Sequence, residues 1–171
     1  AGCRPSAIRS EASISPAIVD LNGDGWLDIV VGTGTFYYDF SPDRPTHGFR
    51  VYAWDHNGKD LAGWEGGKTV GGPTPASPAI GDLDGDGDLD IILAKGRHWP
   101  LHDRVLLNNG KGEFTTARNL GETPDRTYSA VLADLDGDGD LDAIVSNDNP
   151  DKKLVYLNDG KANFRVAGTW G

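Results

Sequence analysis

Ser77–Ala94 reads SPAIGDLDGDGDLDIILA, and the chain repeats this stretch twice in nearly the same letters. Ser15–Gly32 reads SPAIVDLNGDGWLDIVVG, and Ser129–Ser146 reads SAVLADLDGDGDLDAIVS. The first aspartates of the three loops are Asp20, Asp82 and Asp134, spaced by 62 and 52 residues. Self-similarity on this scale marks a repeat architecture, in which each repeat is one supersecondary unit.

The repeat extends beyond the loop. Downstream lie FRVYAWDHNGK (Phe49–Lys59), RVLLNNGKGEF (Arg104–Phe114) and LVYLNDGKANF (Leu154–Phe164). Each is an apolar, strand-like run that ends near Asn57-Gly58, Asn109-Gly110 or Asp159-Gly160. Such dipeptides suit the positive φ angles of tight hairpin turns. Every unit therefore reads as strand, acidic loop, strand, variable loop, strand, turn, strand.

The predicted strands of unit 1 are Pro16–Val19, Leu27–Gly32, Phe49–Trp54 and Leu61–Val70. Those of unit 2 are Pro78–Ile80, Leu89–Ala94, Arg104–Leu107 and Phe114–Leu120. Those of unit 3 are Tyr128–Ala133, Leu141–Ser146, Leu154–Leu157 and Phe164–Thr169. Four strands per repeat without helices is the pattern of β-propeller blades. The expected fold is all-β, with three four-stranded antiparallel blades over residues 15–76, 77–127 and 128–171. Residues 1–14 precede them as an arm or stray strand. A sandwich or jelly roll competes, but neither needs the same acidic loop three times. Three blades fall below the roughly four to eight of closed rings. The expectation is an incomplete ring, completed by further blades, or half of a dimeric six-blade ring.

Composition agrees with this reading. Of 171 residues 22 are Asp and only 4 are Glu, with 24 Gly and 10 Pro, so turns outnumber helices. The formal charge of −10 and the lack of basic clusters argue against nucleic acid. No apolar run reaches the roughly 18 residues of a membrane helix. Apolar residues make up 37% of the chain in short regular runs, which argues against disorder. Methionine is absent, so a processed chain is expected. The single cysteine, Cys3, has no internal disulfide partner; its Ala-Gly-Cys setting is similar to the tail of a lipoprotein signal, without the apolar region that should precede it.

The acidic loop follows D-x-[DN]-x-D-G-x-x-D. Its oxygen-bearing positions are Asp20, Asn22, Asp24 and Asp28 in unit 1, and Asp82, Asp84, Asp86 and Asp90 in unit 2. In unit 3 they are Asp134, Asp136, Asp138 and Asp142. Glycines at the fourth and sixth places let the chain curl and turn these side chains inward. The carboxylate at the ninth place closes the shell, and a backbone carbonyl near the seventh (Trp26, Asp88, Asp140) is a further ligand candidate. An all-oxygen, flexible shell suits Ca²⁺, so three calcium sites are expected. The absence of His and Cys argues against zinc or copper. An EF-hand needs Glu at position twelve, where this chain has Val31, Leu93 and Val145.

At these residues the chain resembles the FG-GAP/VCBS repeat family, best known from integrin α subunits. The match runs through DLNGDGWLDIVVG, DLDGDGDLDIILA and DLDGDGDLDAIVS and the trailing RVLLNNGKGEF and VYLNDGKANF. It covers roughly Ser15 to Gly171. The resemblance implies calcium-binding propeller blades of the kind found in adhesion receptors, in lectins and beside or within polysaccharide-degrading enzymes. The expectation is a secreted or cell-surface protein that is structural or adhesive; no nucleophile elbow, phosphate loop or zinc motif appears, so no enzyme is expected. Asn22 departs from the acidic pattern and lowers the charge of the first loop.

Antiparallel strands put the acidic loops and the Gly turns on one end of the blades. The variable loops Thr33–Gly48, Lys95–Asp103 and Asn147–Lys153 fall on the other. Tyr37, Tyr38, Arg44, His98, Trp99 and His102 in these loops are candidates for glycan or protein recognition. A lectin proper is one alternative. A polysaccharide lyase fragment is another, with His98, His102, Tyr37 and Arg97 around a uronate.

Overall fold

The computed structural model describes residues 15–33, 49–97 and 99–170. Its described residues form twelve strands in three sheets of four. Blade 1 holds β1 (Ala17–Val19), β2 (Asp28–Gly32), β3 (Arg50–Trp54) and β4 (Lys68–Thr69). Blade 2 holds β5 (Ala79–Gly81), β6 (Asp90–Leu93), β7 (Arg104–Leu107) and β8 (Thr116–Asn119). Blade 3 holds β9 (Thr127–Ala133), β10 (Asp142–Asn147), β11 (Lys153–Leu157) and β12 (Arg165–Trp170).

In every blade the strands pair antiparallel in chain order. The registers Ile29↔Trp54, Ile91↔Leu106 and Ala143↔Tyr156 superpose the three units residue for residue. The architecture is thus the all-β set of propeller blades expected from the repeat. The three sheets do not close a ring. The N-terminal arm and Cys3 lie outside the described residues.

The core lies between blades rather than within them. A single sheet has two faces and no interior, so each blade hides its apolar faces on its neighbours. One cluster joins Leu21, Val30, Val51, Ala53, Leu61 and Trp64 of blade 1 to Ile91, Leu93 and Leu106 of blade 2. A second joins Leu83, Ile92, Val105, Leu107 and Leu120 to Ala143, Val145, Tyr156 and Ala162 of blade 3.

Two expectations need correction. The fourth strand of blade 1 is Lys68–Thr69, not Leu61–Val70. Gly63, Gly66 and Gly67 have φ of 78°, 73° and 77°, which no strand accommodates. The segment turns instead, with Trp64 N–H donating to Leu61 O and Gly67 N–H to Trp64 O. This drops Trp64 into the first core at 1% exposure, where its Nε1 donates to Gly112 O at 2.7 Å. The turns of blades 2 and 3 are also longer than two-residue hairpins. Asn109 and Asp159 each accept from the N–H groups two and four residues on, so the side chain organises the loop.

Candidate metal centre

The acidic loops join the first two strands of each blade. In loops 2 and 3 the first aspartate accepts the N–H groups of both glycines: Asp82 from Gly85 and Gly87, Asp134 from Gly137 and Gly139. In loop 1 Asp20 accepts from Asp24 and Gly25. These bonds wind the chain around its own carboxylates.

Winding brings carboxylates together. Asp82, Asp84 and Asp86 each offer an oxygen, and all three oxygens lie within 4.8 Å of one another. Asp134, Asp136 and Asp138 do the same. Like charges this close repel unless something neutralises them. Burial, then Asp86 and Asp82, push the Asp84 carboxyl above the usual carboxylate range. Asp84 Oδ1 is buried and has no hydrogen-bond partner among the described residues. A cation bound by the three carboxylates would answer both the repulsion and the orphaned oxygen. An all-oxygen donor set fits a hard divalent ion such as Ca²⁺.

Loop 1 brings the same positions together with Asn22 in place of an acid. Asn22 Oδ1 accepts from Asp24 N–H, and its amide donates to Asp24 Oδ2 at 3.2 Å. An internal amide–carboxylate bond thus takes up part of what a cation would otherwise neutralise.

The ninth carboxylates have a different setting. Asp90 and Asp142 are fully buried. Each accepts the N–H of its loop's second residue (Leu83, Leu135) on Oδ2 and that of Asn108 or Asn158 on Oδ1. They staple the acidic loop to the far turn of the same blade. Burial pushes Asp90 up to about 6, with Asp84 and Asp86 adding to the rise. In blade 1 Asp28 accepts from Leu21 N–H, but its buried Oδ1 has no described partner. The position equivalent to Asn108 and Asn158 is His56 in blade 1.

The seventh residues diverge by side chain. Exposed Trp26 stacks on His56, with ring centroids 4.6 Å apart. A Cβ placed on Gly110 or Gly160 would stand 2.6 Å from the carboxylate of Asp88 or Asp140, so each of those acids lies over its own blade's turn.

Sequence reasoning missed the clamp that joins the loops. Asn108 Nδ2 donates to Leu21 O of blade 1 and Leu89 O of blade 2. Asn158 Nδ2 donates in the same way to Leu83 O of blade 2 and Leu141 O of blade 3. Acidic loops 1 and 2 are each held in this way by the next blade. The signal was present as Leu-Asn ahead of each Gly turn in blades 2 and 3.

On the other end, Tyr37, Tyr38, Arg44 and His98 lie outside the described residues. Trp99 and His102 are described, and His102 lines a cavity of about 570 Å³ between blades 1 and 2. Beneath it, Thr127 Oγ lies 2.8 Å from Asp103 Oδ2 and 2.9 Å from Asn147 Oδ1. One hydroxyl proton cannot serve both. Asn147 Nδ2 donates to Lys152 O, which fixes its Oδ1 as an acceptor. A proton on Asp103 resolves the conflict: Asp103 donates to Thr127, and Thr127 to Asn147. Burial pushes Asp103 up to about 7, in accord with that proton.

Comparison with known proteins follows the repeat. The model of the FG-GAP-like repeat matches residues 20–93 and 96–145. The chain is 31% identical over 159 residues to integrin alpha-6 of Gallus gallus, covering 87% of this chain and 14% of that protein. The crystal structure of the V. cholerae biofilm matrix protein Bap1 superposes with a TM-score of 0.51 at 21% identity, over 90% of this chain and 24% of that one. The chain therefore spans a small part of either relative. With the repeat model matching most of its length, the chain belongs to the FG-GAP-like repeat family.

Proposed function

We propose that the chain is a calcium-binding propeller segment of a secreted or cell-surface protein, with a structural or adhesive role and no catalysis of its own. The observation that carries the reading is the pair of carboxylate triads with oxygens within 4.8 Å, one of which includes the orphaned Asp84 Oδ1. The resemblance to an integrin and to a biofilm matrix protein supports the compartment and the adhesive role. Three Ca²⁺ ions would add six charges and take the formal −10 to −4. Extracellular modules bind Ca²⁺ with dissociation constants of roughly 0.1–1 mM. At about 1 mM calcium, linkage then gives roughly 0.4–1.4 kcal/mol per site. The test is a calcium titration followed by melting temperature. An EGTA-reversible rise is expected, and a flat response would overturn the reading.

The end faces bear on partners. Ile18 and Leu27 are 51% and 59% exposed, whereas their counterparts in blades 2 and 3 pack against the preceding blade. Val131 and Leu135 are likewise exposed on blade 3. Further blades or a second copy would cover these faces. Light scattering separates the cases: a dimer favours the second copy, a monomer the further blades. A glycan or extracellular protein remains the proposed partner of the face opposite the calcium loops.

A further inference from the structure

The cavity between blades 1 and 2 opens on the end opposite the acidic loops. Among the described residues its walls carry three basic side chains, Lys95, His102 and Arg104, and no carboxylate. This runs against the chain's composition, in which acids outnumber Lys and Arg by 26 to 16.

Lys95 is 4% exposed. Its ammonium donates to Val70 O at 2.6 Å and Gly71 O at 3.3 Å, so two carbonyls hold it and a third donor remains. The nearest acid, Asp103, is turned away, accepting Lys95 N–H at 2.7 Å and meeting Thr127 on its other oxygen. Burial first, then the Arg104 charge, lower the Lys95 pKa to about 8. Arg104 gives one N–H to Asn119 Oδ1 and, among the described residues, has further donors to offer. His102 has a buried Nδ1 without a hydrogen-bond partner among the described residues. A buried ammonium beside a guanidinium, with no facing carboxylate among the described residues, is costly. An anion between them would offset that cost through charge-assisted hydrogen bonds.

The size of the cavity decides what kind of anion. Its volume of about 570 Å³ sits within the usual range for small organic ligands. An inorganic ion would fill little of it. Val70, Leu101 and Leu106 give it an apolar wall, while Thr69 and Asn119 offer polar atoms. A ring with apolar C–H faces, hydroxyls and one carboxylate matches this lining.

We propose that this cavity binds the carboxylate of a sugar acid, with Lys95 and Arg104 holding the charge and the wall of Val70, Leu101 and Leu106 taking the ring. The proposal rests on the reading of this face as a ligand face and names its ligand class.

The test is calorimetric titration of the calcium-loaded chain with glucuronate, glucose and inorganic sulfate. Glucuronate is expected to bind, glucose not to, and sulfate to bind more weakly. Arg104→Gln should weaken glucuronate binding about tenfold, the worth of one charge-assisted hydrogen bond. Its melting temperature and calcium response should match the parent, which separates ligand loss from misfolding. Lys95→Met should abolish binding; should it fail to fold, the Arg104→Gln result stands by itself. No glucuronate binding, binding unchanged in Arg104→Gln, or sulfate binding as tightly as glucuronate would each overturn the proposal. Binding of a neutral glycan that survives Arg104→Gln would overturn it while leaving the ligand face intact.

Discussion

Residues Asp82–Asp90 and Asp134–Asp142 have the same nine letters, DLDGDGDLD, in two surroundings. The windings agree, with the first Asp accepting the same two glycine N–H groups in each. Burial does not. Leu83 is 1% exposed and Leu135 42%. Asp84 is half-buried with an orphaned oxygen, whereas Asp136 is exposed. The difference is the neighbour. Loop 2 lies against the turn of blade 3, where a Cβ on Gly85 would stand 3.4 Å from Gly160 O. Asn158 clamps the Leu83 carbonyl from there. Among the described residues, loop 3 has no such neighbour. Local sequence winds the loop, and the adjoining blade sets its dielectric and therefore its electrostatics.

Four measurements break or sharpen this comparison. Leu83→Ala should cost about 3 kcal/mol in denaturant unfolding, because it opens a cavity between blades. Leu135→Ala, on an open face, should cost under about 0.5 kcal/mol. Equal costs would mean that loop 3 is covered in solution.

Asn158→Ala should cost about 2 kcal/mol, since it removes a buried donor from Leu141 O and from Leu83 O, the latter keeping Ala162 N–H. Loop 2 should lose calcium affinity with it more than loop 3.

Asp103 moves the comparison to the opposite end. Its folded pKa of about 7 exceeds the unfolded 3.8, so the native state holds the extra proton between those values. Its contribution is fully present below about pH 4 and is lost as pH rises towards 7, at up to about 1.4 kcal/mol per pH unit. Stability followed from pH 4 to 7 in EGTA should show this slope in the parent and a shallower one in Asp103→Asn. Matching slopes would show that Asp103 titrates alike in both states.

The smallest effect is a change of sign. Without calcium, Asp84→Asn should stabilise by several tenths of a kcal/mol, because it removes a half-buried repelling charge. With calcium it should destabilise by up to about 1 kcal/mol through the lost ligand. Asp136→Asn, in the exposed loop, should show the smaller gain without calcium. Melting curves with calcium and with EGTA read both arms.

The strand order, the blades and the first, third and fifth carboxylates were legible because they depend on neighbours in sequence. Alternating apolar runs mark the strands, and Asp-Gly spacing winds the loop. Lys95, the first residue of unit 2's variable loop, gave no comparable sign: nothing in its sequence setting distinguishes a buried cavity cation from a surface lysine. The ninth carboxylates were read as shell-closing ligands. The fold also makes them staples, because the N–H groups of Asn108 and Asn158 arrive from another strand. The fourth strand of blade 1 is shorter than its apolar pattern suggests because Gly63, Gly66 and Gly67 turn the chain ahead of it.

The sequence by itself determined three repeats, twelve strands and the curl of each acidic loop, since these follow from pattern and turn chemistry over short spans. Only the tertiary structure decided which Leu is buried, which carboxylate is orphaned and which lysine faces a cavity. Those properties depend on what the next blade brings against a residue, and residues some 75 positions apart carry no local mark of meeting.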